Sequence, residues 1–207
     1  MATDRALLKE LTAEWAALEN RLAQDLPSWR PAAGPPLPVG PLALFAQLEE
    51  VLDAFAFVKE GAPRHAGRYV TSAWTLKDLL GHLASWAAEF RHEVETVAGA
   101  GSFEYAIPFA LNVIGPNEWN ARAAERQRPV PLDDVIEQFE RETRRLQGLV
   151  LELPPPALYG EATFPLAPSG DPQQLLRGSI AMIVLGKCTH DLYHLGRIRD
   201  FLRRLER

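Results

Sequence analysis

With 207 residues, 47% of them hydrophobic and 24% charged, the chain has apolar material for one domain and an appendage. Its formal net charge is −5, with basic residues mostly interleaved among acidic ones, which speaks against a nucleic-acid backbone as partner. The single cysteine, Cys188, excludes an internal disulfide and fits a reducing compartment.

The first element in chain order is an amphipathic helix from Thr3 to Leu26, with Leu8, Leu11, Trp15, Leu18 and Leu22 spaced three and four apart. Charges interrupt this stretch every few positions, so no signal peptide is expected. Pro27 ends the helix, and the segment to Pro41 holds six of the 17 prolines, which reads as a linker. A second helix is expected over Leu42 to Glu60, burying Leu44 or Phe45 with Leu48, Val51, Leu52 and Phe55, and closed by Gly61 and Pro63. Thr75 is the N-cap of a third, reaching about Val97, with Asp78 three residues on as a capping-box partner.

Residues 98–118 are punctuated by Gly and Pro and resist assignment. Asn117 to Arg126 reads as a short helix, and Leu132 to Leu153 as a long one with Val135, Ile136, Phe139, Thr143, Leu146 and Val150 on one face. Pro154, Pro155 and Pro156 stop it. A loop with strand-like residues from Tyr159 to Leu166 leads to a final helix over about Pro172 to Leu205. Its cluster of Arg197, Arg199, Arg203, Arg204 and Arg207 fits cations near a helix's negative pole.

No period-2 run of useful length appears, so the expected class is all-α: a four-helix bundle over residues 42–207 with an extra N-terminal helix over 1–26. That helix has a seam that needs a partner, either the bundle or a twin subunit, so a homodimer is expected. The longest strongly apolar run, Ile180 to Leu185, is too short to cross a bilayer. A cytoplasmic protein with no membrane partner is the resulting expectation.

The five histidines carry the chemical signal. His190 and His194 are four apart in the last helix, so both rings leave one face, and that face also carries Leu176, Ile183, Phe201 and Leu205. Two imidazoles thus stand in an apolar stripe. Taken alone, the pair is better explained by two buried histidines with hydrogen-bond partners, or by a locally wet groove, than by a metal. His82, early in the third helix, lies roughly 90° from the centre of the stripe made by Leu76, Leu79, Leu83, Trp86 and Phe90, at the edge of the buried face. Three imidazoles from two helices can hold a divalent ion and leave positions open, the pattern of a reactive site. His65 and His92 read as loop and solvated residues, and Cys188 as a packing residue.

The segment Trp74-Thr-Leu-Lys-Asp-Leu-Leu-Gly-His82-Leu-Ala-Ser-Trp86 resembles the second-helix signature of the DinB/YfiT-like metalloprotein superfamily, and looks closest to its ClbS/DfsB-type branch. Thr189-His190-Asp-Leu-Tyr-His194-Leu-Gly-Arg-Ile-Arg-Asp-Phe looks like the fourth-helix signature. The resemblance implies a four-helix bundle with a divalent metal, zinc or nickel foremost, held at the positions of His82, His190 and His194. It also implies a low-molecular-weight thiol as co-substrate in some members, and sequestration of reactive small molecules in others.

The expected function is therefore activation of a small thiol or water for attack on a small electrophilic substrate. Sequestration without turnover and a helical interaction module are the alternatives. Glu89 is the candidate proton acceptor, while Trp86 and Arg197 are candidates for binding substrate. Glu89 and Arg197 read more readily as exposed helix charges, and Trp86 as core.

Overall fold

The computed structural model describes residues 41–99, 116–159, 162–165 and 175–207. The N-terminal helix expected at 1–26 and the linker after it lie outside the described residues. Along the described chain run α1 (Pro41–His65), α2 (Leu76–Gly99), α3 (Pro116–Gln127), α4 (Leu132–Glu152) and α5 (Pro155–Tyr159). Strands β1 (Ala162–Pro165) and β2 (Leu175–Gly178) follow, and α6 (Ile180–Leu205) completes the order.

The four long helices form the expected bundle. Helix α2 packs on α4 and α6, and α1 packs on the same two from the opposite side, so α1 and α2 are diagonal partners. Helix α3 covers the remaining flank of α2. The apolar faces meet in one core that joins Leu48, Val51 and Phe55 to Leu79, Leu83, Phe139, Leu146, Ile198 and Leu202. Phe55 and Phe139 touch ring to ring at 4.3 Å between centroids. Lys59 with Glu140 ties α1 to α4 at the surface, and Arg91 with Glu142 ties α2 to α4.

The start of α2 is fixed by a reciprocal cap. Thr75 Oγ1 accepts from the Asp78 backbone N–H at 3.1 Å, and Asp78 Oδ2 accepts from the Thr75 N–H at 3.0 Å. Two of the orphan donors of a helix N-terminus are thereby satisfied. Arg128 Nε donates to the other oxygen of Asp78 at 3.2 Å and anchors the end of α3 against this cap.

Two boundaries differ from the sequence reading. Helix α1 continues through Gly61 and Pro63 to His65. Pro63 removes one hydrogen bond in the last turns. Gly61 sits where a Cβ would come within 2.8 Å of Leu202, so it serves close packing on α6 rather than a stop. Helix α6 begins at Ile180, and the residues before it, Leu176 among them, form β2, paired antiparallel with β1 so that Phe164 faces Leu176. Strand pairing satisfies the backbone there that an early helix start would have satisfied internally. The ribbon is a minor addition to a helical domain.

Gly81, immediately before His82, has a specific packing role. A Cβ there would lie 2.7 Å from Gln127 Cβ and 3.2 Å from its Cγ. Alanine gains up to about 1 kcal/mol in helix propensity over glycine. Overpacking against a side-chain root costs about 1–3 kcal/mol. Gly81→Ala is therefore expected to lower the thermal midpoint by a few degrees, because α3 must move away from α2. An unchanged or raised midpoint would show that Gln127 yields freely.

Candidate metal centre

His82 leaves α2 about two turns after its capped start, and His190 and His194 leave one face of α6. Where α2 crosses α6 the three rings converge, and their candidate ligand nitrogens all lie within 4.8 Å of one another. Ring centroids are 5.1 Å apart for His82 and His190, and 4.8 Å for each of the other two pairs. All three side chains are buried, with 3–4% exposure. Among the described residues no fourth histidine, cysteine, aspartate or glutamate joins the cluster.

The donor set fits an ion. Two imidazole nitrogens bound at about 2.0–2.1 Å to one tetrahedral ion lie roughly 3.3 Å apart. His82 Nε2 and His190 Nε2 are 3.1 Å apart. That separation also suits an N–H···N hydrogen bond, in which one ring donates and the other accepts. The outer nitrogens of two of the rings are unpartnered. His82 Nδ1 and His194 Nδ1 are buried with no hydrogen-bond partner, each at a cost of about 1–3 kcal/mol. The third ring differs, because His190 Nδ1 lies 2.9 Å from Asp191 Oδ1.

Electrostatics favours neutral rings. Burial first, then the neighbouring His190, holds His82 well below the usual histidine pKa. Burial holds His194 down as well, followed by His82, His190 and the positive charge of Arg197. A neutral imidazole has its lone pair free for a cation.

Aromatic side chains wall the cluster. Trp74 meets the His82 ring edge-on at 4.9 Å, and Trp86 and Phe90 lie 5.6 Å and 6.1 Å from the His190 ring. Trp119 of α3 packs on Trp86 at 4.4 Å, and Asn120 Oδ1 accepts the Trp86 indole N–H at 2.7 Å. Such walls exclude water and strengthen electrostatic interactions inside.

The structure thus unites the three histidines of the sequence reading and places Trp86 beside them. Arg197 lies one turn beyond His194, half-buried, with its guanidinium 5.8 Å from the Tyr193 ring centroid. Glu89 does not join the cluster. It lies two turns along α2 from His82, roughly 10 Å by helical rise, where its carboxylate and burial together push the buried Glu93 well above the usual carboxyl range, burial contributing most. Burial also pushes the Cys188 thiol up to about 12, which agrees with a packing role. His82 is deeper than its stripe position suggested, because the rings of Trp74 and of His190 and His194 from α6 pack around it.

Sequence reasoning missed Lys187, Asp191, Trp119 and Asn120. Lys187 had a visible signal, as the one charge between Ile180 and Cys188. Asn120 had none, since its role depends on where a separate short helix docks.

Among comparisons with known proteins, the family model described as "Mycothiol maleylpyruvate isomerase N-terminal domain" matches residues 61–177, more than half of the chain. The matched range contains His82 and ends before the helix that carries His190 and His194. No curated protein and no solved structure matches the chain.

Proposed function

The chain belongs to the mycothiol maleylpyruvate isomerase N-terminal domain family, within the DinB/YfiT-like superfamily, and on that footing we propose that it is a metal-dependent enzyme in which a low-molecular-weight thiol reacts with a small electrophile. The branch this family names is the mycothiol one, where the two signatures had looked closest to the ClbS/DfsB type. The observation that carries the reading is a buried set of three converging imidazoles from two helices, with no fourth histidine, cysteine or carboxylate in the cluster among the described residues. A structural zinc site closes its fourth position with protein, whereas a reactive site leaves it to solvent or substrate.

His82, His190 and His194 would hold the ion, zinc or nickel foremost. A divalent ion there supplies positive charge that favours the thiolate over the thiol and, in the same way, hydroxide over water. The chain's own residues supply the rest. Trp74, Trp86 and Phe90 keep bulk water from the rings. Arg197, whose charge is felt at His194, is suited to a carboxylate of the thiol or of the electrophile through a charge-assisted contact. Glu89 is less suited to the proton-acceptor role than its sequence position implied, because it stands about two turns from the cluster. In the reaction the S–H bond breaks and the sulfur forms a bond to an electrophilic carbon, while that carbon loses either a leaving group, which departs with its electron pair, or a π bond, whose pair goes to the neighbouring atom. The thiol proton passes to solvent or to the atom that receives the pair.

The test is thiol conjugation. Zinc-loaded protein incubated with mycothiol and a bimane electrophile should form the thioether faster than the uncatalysed mixture, with bacillithiol and cysteine as comparison thiols. His194→Ala should fall to background, and Arg197→Ala should raise KM more than it lowers kcat. No conjugation with any of these thiols, despite tight binding of the electrophile, would replace the enzyme reading with sequestration.

A further inference from the structure

Behind the histidines, on the core side of α6, lies a charge pair that packing alone does not call for. Lys187 and Asp191 are one turn apart and both completely buried, with Lys187 Nζ 2.5 Å from Asp191 Oδ2. Lys187 Nζ also donates to Thr143 Oγ1 of α4 at 3.1 Å and lies 5.2 Å from the centre of the Phe139 ring. The second oxygen of Asp191 faces His190 Nδ1 at 2.9 Å. An unbroken run of polar contacts therefore leads from Thr143 through Lys187 and Asp191 to one ring of the cluster. Two charges taken out of water are costly, and apolar residues of similar volume in such places are often neutral or stabilising. Stability is a weak reason for this pair.

The geometry points to Asp191 and Lys187 as positioning residues that fix His190 as the one anchored ligand of the three, an inference that rests on the metal-binding reading above. A carboxylate at Nδ1 holds that nitrogen as the donor and turns the Nε2 lone pair toward His82 and His194. It also fixes the plane of the ring, as a carboxylate behind a ligating histidine does at other metal sites. Lys187 holds the carboxylate in place from the other side and balances its charge, so the ligand set and its support are together close to neutral. The contrast with the other two rings is direct: His82 Nδ1 and His194 Nδ1 have no partner. The support is unequal, and the unequal member is the ring that sits between the other two on the sequence path from α2 to the end of α6.

The rival explanation is a structural tie between α4 and α6 through Lys187 and Thr143. Zinc affinity by chelator competition and the visible spectrum of the cobalt-substituted protein separate the two. Asp191→Asn keeps the size of the side chain and loses its charge. It should weaken zinc binding about 10–100-fold, the range seen when such outer partners are lost, and shift the cobalt bands. The double variant Asp191→Asn, Lys187→Met removes both charges together, so it leaves no buried ion unpaired and remains foldable if the single variant does not. It should show the same weakening, with a metal-free thermal midpoint near that of the parent. Parental zinc affinity and an unchanged cobalt spectrum in the folded variants would make the pair a structural tie and overturn the inference. Failure of the parent protein to bind zinc or cobalt would instead overturn the metal reading, and this inference with it.

Discussion

Protein prepared without a polyhistidine tag is expected to carry about one divalent ion per chain, and the His190→Ala, His194→Ala double variant almost none. The argument is geometric. Helix α6 supplies two of the three converging imidazoles, and the cluster contains no carboxylate or thiolate among the described residues to compensate for their loss. The double variant leaves His82 as a single neutral donor, which holds a labile ion no better than a surface histidine does. Each single variant should lie between, because two imidazoles and solvent release the ion readily during dialysis. His65 and His92 serve as controls, since neither belongs to the cluster, and alanine at either should leave the metal content unchanged. Inductively coupled plasma analysis after dialysis gives the stoichiometry, and far-UV circular dichroism confirms that the bundle remains folded. Full occupancy in the double variant would mean that the ion sits elsewhere.

How much of this site the sequence disclosed follows from the range of the interactions involved. The cap at Thr75 and Asp78 is local, and spacing alone revealed it. The facing of His190 and His194 follows from helical geometry, also local. The apolar face of α4 was legible because Val135, Phe139, Leu146 and Val150 repeat at helical spacing, and all are buried, whereas the buried Glu142 and Gln147 beside them carry no such signal. The failures are all tertiary. Gly61 and Pro63 look like a stop until Leu202 of α6 is placed against Gly61. Leu176 looks helical until β1 is available to pair with β2. The depth of His82 depends on the α6 rings that pack on it, which no local pattern brings beside it. Asp191 was in view beside His190, but its role requires knowing that Lys187 is buried and not extended into solvent. Side-chain chemistry was therefore readable where one helix sufficed, and hidden where two or three had to meet.

The metal-free protein should lose stability as the pH falls below about 6.5, the ordinary histidine value. His82 and His194 are both held well below that value, burial being the largest cause for each. In the unfolded chain both rings take up a proton near pH 6.5, while in the fold both remain neutral to a lower pH. The unfolded state then binds up to two more protons than the native state, and stability rises with pH wherever that holds. The contribution is fully present above about pH 6.5 and lost as the pH drops toward the folded values, with a limiting slope of about 2.7 kcal/mol per pH unit for two protons.

Glu93 acts in the opposite sense. Burial, then Glu89, raises its carboxyl well above the usual range, so the fold holds a proton there over a window in which the unfolded chain has released it. In that window the net difference shrinks from two protons toward one, and the slope toward about 1.4 kcal/mol per unit. The histidine pair still prevails, because two groups outweigh one. Urea unfolding of metal-free protein at pH 7.5, 6.5, 6.0 and 5.5 should show stability falling with pH below 6.5. The slope should be shallower in His194→Gln, which leaves one depressed ring, and steeper in Glu93→Gln, which removes the opposing group. A stability that stays level from pH 7.5 to 5.5 in both the parent and Glu93→Gln would mean that His82 and His194 take up protons in the fold as readily as in water, and would overturn the argument from their burial.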